Sequence, residues 1–157
     1  MDEIVEKIAT AVIPGLIIAI VASIVTVRLS IRRFHEEKWW EKKEEAYSNL
    51  IELFHHFKDY TSKHIDDVIE PEKFTEEERK SWGKDWKEFN RKYAKARDLA
   101  SFHLSDLAVS ILDNYDKKRK EASKNEDVFQ WMEDDYAAAS ECLEQLKMAA
   151  KNDLKVK

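Results

Sequence analysis

The stretch YSNLIELFHHFKDYTSKHIDDV, residues 47–68, decides how this chain is read. Tyr47, Leu50, Ile51, Phe54, Phe57, Thr61, Ile65 and Val68 recur in it at three- and four-residue steps. That period gathers side chains along one face of an α-helix, and a face so apolar needs a core to lie against. Downstream, Pro71 ends the helix, and Thr75 followed three residues later by Glu78 reads as a capping box that starts another. Trp82, Trp86, Phe89, Tyr93, Ala96 and Ala100 form the second stripe. Ser105 and Asp106 interrupt it, and Leu107, Ala108, Ile111, Leu112 and Tyr115 form a third. After the polar run KKRKEASKNED, a fourth helix carries Val128, Met132, Tyr136 or Ala139, Cys142, Leu143, Leu146 and Ala150. Only two Gly and two Pro occur in 157 residues, which leaves almost none of the turn residues that hairpins require. The expected fold class is all-α, with residues 46–157 as an antiparallel bundle of about four helices.

Upstream, no Gly, Pro or Ser-rich break separates Val27 from Ile69, so one helix is expected to run through. Residues 28–45 form its charged part, where Lys38 with Glu41 and Lys42 with Glu45 stand at i,i+3. Residues 8–27 carry no charge, and as a helix they match the roughly 30 Å hydrocarbon core of a bilayer. An N-terminal transmembrane helix is therefore expected, preceded by a short extracytoplasmic tail, residues 1–7. A cleaved signal peptide fits less well, because MDEIVEK is acidic and the apolar run leads straight into arginines. Arg28, Arg32 and Arg33 set the topology: positive flanks stay on the cytoplasmic side, so the N-terminus faces out and the bundle lies in the cytoplasm. In a bacterium the membrane is the inner one. The lone Cys142 forms no intrachain disulfide and suits a reducing compartment.

Within the expected span, Ala11, Gly15, Ala19 and Ser23 fall at four-residue spacing on one side of the helix. Small residues in such a row let helices approach closely, which makes a homodimer one expected partner arrangement. Trp39 lies twelve residues past Val27, about 18 Å along a helix. That is beyond the roughly 5–7 Å headgroup zone, so Trp39 and Trp40 are assigned to bundle packing or to contact with another membrane or cytoplasmic protein, with Trp40 the better packing candidate. The net charge is −5, and the arginine-bearing segment is the positive part, so the helical domain is acidic. It offers no basic stripe, and no nucleic-acid partner is expected.

Chemistry-bearing patterns are few. Glu52 and His55 make the Glu-x-x-His unit of di-iron bundles, but a second such unit is missing, so no metal and no cofactor are expected. No Walker loop, dinucleotide fingerprint, HExxH or nucleophile elbow occurs, and Cys142 sits on an apolar stripe as a small core residue. Arg97 and His103 resemble the Arg-x4-6-His pattern of HEPN ribonucleases, all-α proteins of toxin and defence systems. That resemblance implies metal-independent RNA cleavage by paired Arg and His, and an alternative role as a membrane-tethered ribonuclease or effector. Arg28 with His35 satisfies the same loose spacing at the membrane. The segment RRFHEEKWWEKKEEAYSNLIELFHHFKDY, following an N-terminal span and preceding an acidic helical tail, resembles a group of small bacterial single-pass membrane proteins with a juxtamembrane Trp-Trp-Glu-x-Lys helix. That resemblance implies a packing pattern and no activity. The leading expectation is a membrane-anchored interaction or scaffold protein whose partners include the lipid bilayer.

Overall fold

The computed structural model describes the backbone of residues 2–155 and the side chains of residues 16–155. It contains four α-helices, α1 (Asp2–Ile69), α2 (Glu76–His103), α3 (Asp106–Ala122) and α4 (Val128–Leu154), with a 3-10 turn at Pro71–Lys73. The all-α expectation and the four-helix count hold, and no strand occurs among the described residues. The chain divides into two compact units, Met1–Trp40 and Glu41–Lys157.

In the first unit, Leu16, Ile17, Ile18, Ile20, Val21, Ile24, Val25 and Val27 are each at least 50% exposed. At about 100° per residue these side chains cover rather more than half of the helix circumference, and Ala19, Ala22, Ser23 and Thr26 line the rest. The Ser23 and Thr26 hydroxyls donate to the carbonyls of Ala19 and Ala22, each at 2.8 Å. Among the described residues no helix is long and apolar enough to cross a membrane. Residues 8–15 of the expected span, including Ala11 and Gly15 of the small-residue row, lie outside the residues whose side chains are described. Arg28, Arg32 and Arg33 are exposed, with Arg32 bonded to Glu36 at 2.8 Å.

The second unit is the bundle, and its topology can be read from side-chain pairs. Asp67 meets Arg79, His64 meets Trp82 and Phe54 meets Tyr93, so α2 runs antiparallel to the C-terminal part of α1. Asn90 with Arg119 and Tyr93 with Asp116 reverse direction again between α2 and α3. Lys118 with Glu141 and Arg119 with Asp135 do so between α3 and α4. Tyr47 with Asp153 at 2.5 Å closes α4 against α1. The result is an up-down-up-down bundle, as short connections between helices favour.

Each helix end has a local cause. The Thr75 capping box is complete, its hydroxyl accepting from the Glu78 amide while the Glu78 carboxylate accepts from the Thr75 amide at 2.7 Å. Ser105 caps α3 and Asp127 caps α4, and α4 closes on Lys155 in the left-handed region at φ 53°. The core is aromatic from α1 and α2 and alanine-rich from α4: Tyr47, Leu50, Phe54, Phe57, Phe89 and Tyr93 pack over Ala138, Ala139, Ala149 and Ala150. Small residues on α4 make room for the rings. The expected stripes hold except at their ends. Val68 is 51%, Leu107 54% and Val128 56% exposed, each in a terminal turn that neighbouring helices do not cover. Trp40 does not join the core: it is 44% exposed and precedes the bundle unit, whose first buried side chain is Tyr47.

Candidate functional site

The described helices α1, α2 and α4 leave an open groove of about 360 Å³ between them. Tyr60, Thr61 and His64 line it from α1, Arg79, Gly83 and Trp86 from α2, and Trp131, Met132 and Asp135 from α4. Helical spacing produces this lining directly: 60 and 64, 79, 83 and 86, and 131 and 135 each fall on one side of their helix. The Trp86 and Trp131 rings stand at 85° with centroids 6.4 Å apart, and Tyr60 lies nearly parallel to Trp86 at 5.8 Å. A Cβ on Gly83 would meet no atom within 4 Å, so the groove is open there.

Asp135 gives this groove its chemistry. It is 3% exposed, and its Oδ1 has no hydrogen-bond partner. The nearest charge is Arg119, whose Nε lies 4.0 Å from that oxygen, close enough for electrostatic attraction and too far for a hydrogen bond. The Arg119 guanidinium is held elsewhere, donating to Asn90 Oδ1 at 2.8 Å and lying 4.7 Å from the Trp86 ring centroid. Burial pushes the Asp135 carboxyl up to about 6, with Arg119 acting against the shift. His64 Nε2 is likewise buried without a hydrogen-bond partner, and burial lowers the affinity of that ring for a proton. Burial also raises the Tyr60 phenol to about 12, so that ring stays neutral. Buried polar atoms are usually satisfied, so two unsatisfied ones on residues lining the same open groove mark it out.

Two further grooves lie between α1 and α2, around Leu53, His56 and Lys92. About half of their lining residues are charged, and none of these is a buried carboxylate lacking a hydrogen bond.

The residues singled out from the sequence are dispersed. The Arg97 guanidinium is bound by Asp113 and Asp116 of α3. His103 stands six residues further along α2, which turns it about 120° away from Arg97, and its ring lies 4.8 Å from that of Phe102. Neither residue lines the groove of Asp135. Glu52 pairs with His56 at 3.6 Å on an exposed surface rather than with His55, and no metal-holding group of His, Cys, Asp and Glu occurs among the described residues. Cys142 is buried. Trp39 and Trp40 are exposed at 48% and 44%.

Asp135 and Arg119 escaped the sequence reading, although a signal was present. Asp135 is four residues before Ala139 and seven before Cys142, so a charge lies on the apolar stripe of α4. Arg119 follows Leu112 and Tyr115 on the stripe of α3, but it is embedded in a lysine-rich run that reads as solvent-facing. No protein-family model, curated protein or solved structure matches the chain.

Proposed function

We propose that this chain is a membrane-anchored binding module: residues 8–27 cross the bilayer, and the helical bundle presents a recognition surface on the cytoplasmic side. The carrying observation is the surface of residues 16–27, where large apolar side chains are exposed over more than half of the helix, no charged residue occurs, and the two hydroxyls spend their protons on the helix's own carbonyls. An exposed helix surface this apolar and without charge favours an apolar solvent, and within lipid polar groups must be satisfied internally. Residues 8–15 extend the same uncharged run to the length of a span. Arg28, Arg32 and Arg33 then retain the bundle on the cytoplasmic side. Residues Ala11, Gly15, Ala19 and Ser23 supply a face on which two spans meet, and Trp39 and Trp40 offer aromatic surface to a protein partner.

The test is fractionation. The full chain should stay with membranes after alkaline extraction, and Ile17→Asp/Ile20→Asp should release it. A wild-type chain found in the supernatant overturns the anchor. Protease added outside intact cells should leave the bundle uncut; cleavage within it reverses the proposed orientation. Cross-linking in native membranes, comparing wild type with Gly15→Ile/Ala19→Ile, tests the small-residue face, and unchanged cross-linking removes it from the proposal.

A further inference from the structure

We propose that the groove between α1, α2 and α4 binds an alkylammonium group, with Asp135 as its anion and the tryptophan-lined wall around its carbon stem. This rests on reading the bundle as a binding module and names the chemistry which that module recognises. Asp135 Oδ1 is a buried acceptor without a donor, and His64 Nε2 is a second buried nitrogen without a partner on the same groove. With burial lowering its proton affinity, His64 is an acceptor or donor imidazole rather than a competing cation. An ammonium brings N–H donors, the kind of partner that Asp135 Oδ1 lacks, whereas a carboxylate or phosphate would meet Asp135 with like charge.

The walls select an organic cation over a bare metal ion. Trp86, Trp131, Tyr60 and Met132 present carbon surface to a stem, while oxygen ligands beyond Asp135 are too few for a hard cation. Trp86 is already engaged by Arg119 and Tyr60 is flanked by Trp86, Phe57 and His64, so the ring surface available to a second cation is that of Trp131. The charge of Arg79, which also lines the groove, is neutralised by Asp67 at 2.9 Å and Glu76 at 3.1 Å. The acidic balance of the chain favours arrival of a cation. The same chemistry can come from a free amine or from a lysine side chain of a partner.

The experiment is calorimetric titration of the full chain in detergent with n-pentylammonium, with 1-pentanol as the neutral isostere. Saturable binding is expected for the wild type, at least about tenfold tighter than pentanol, and weakened at least about tenfold by Asp135→Asn. Absence of saturable binding up to about 10 mM, or equal binding of pentanol, overturns the proposal. So does undiminished binding by a folded Asp135→Asn variant. Should that variant not fold, Gly83→Leu decides, because Gly83 lines the groove and a Cβ there meets no atom within 4 Å. Undiminished ammonium binding by Gly83→Leu overturns the site. A capped pentapeptide with one central lysine identifies the source: tighter binding than pentylammonium supports a partner's lysine, and weaker binding supports a free amine. Membrane extraction reports on the anchor separately, so failure of the titration and failure of the anchor are distinguishable.

Discussion

Asp135 couples the stability of the bundle to pH. Its carboxyl is held at about 6 in the folded chain against an ordinary value of 3.8, so the folded state keeps a proton that the unfolded chain has released. The stabilisation is complete below the ordinary value and is lost as pH rises through 6. His64 acts in the opposite sense, because its lowered proton affinity costs stability as pH falls below its ordinary 6.5. Comparing wild type with Asp135→Asn removes the histidine contribution. Their difference in unfolding free energy, measured in denaturant, should move in favour of the wild type by about 1 kcal/mol between pH 7.5 and pH 5. A pH-independent difference would mean that the carboxyl is hydrated. Cys142 gives a second test at this scale. It is 3% exposed and burial raises its thiol to about 12, so iodoacetamide at neutral pH should leave it unmodified until denaturant is added. Labelling of the native chain, read by mass spectrometry, would contradict the packing of α4.

Helix boundaries in this protein are fixed by short-range chemistry, and helix partners by long-range contact. The Thr75 and Glu78 box holds the start of α2 from residues three apart. Thr75→Ala should lower stability by about 1 kcal/mol without altering helix content in circular dichroism. Phe54 belongs to the other kind. It is fully buried, with edge-to-face contacts to Tyr93 at 5.7 Å and Tyr115 at 4.8 Å, so it joins α1 to both α2 and α3. Phe54→Ala should cost about 3–5 kcal/mol and bring the bundle close to unfolding at room temperature. Arg97 links α2 to α3 through Asp113 and Asp116. Arg97→Ala should therefore lower the melting temperature, whereas His103→Ala, which leaves that link intact, should change it less; the reverse order would sink this account of Arg97.

At the scale of the whole molecule, the described residues that build the core all lie in the Glu41–Lys157 unit. A chain of residues 41–157 should accordingly fold by itself, with one cooperative transition and the helical spectrum of a bundle. A broad, non-cooperative melt would show that the bundle needs the preceding segment. The fold was legible because four amphipathic stripes, one proline, one capping box and the Ser105–Asp106 break act within a few positions of one another, and local forces need no knowledge of the partner. The groove was not legible for the converse reason. Trp86 reads as an ordinary stripe aromatic, Tyr60 and Trp131 stand off the stripes read from the sequence, and the three become a corner only when three helices set them side by side.

By itself the sequence determined the helical class, the starts and stops of the helices at Pro71, Thr75 and Ser105, and the stripes that turn inward. Periodicity and capping are properties of one chain segment, so they survive without a structure. Only the tertiary structure decided that Asp135 is a buried carboxylate facing Arg119 at 4.0 Å, that Arg97 is bound to α3 instead of joining His103, and that Trp40 stays outside the core. Charge pairing and burial depend on what the other helices bring to a position, and residues more than a helix apart in sequence carry no local record of that meeting.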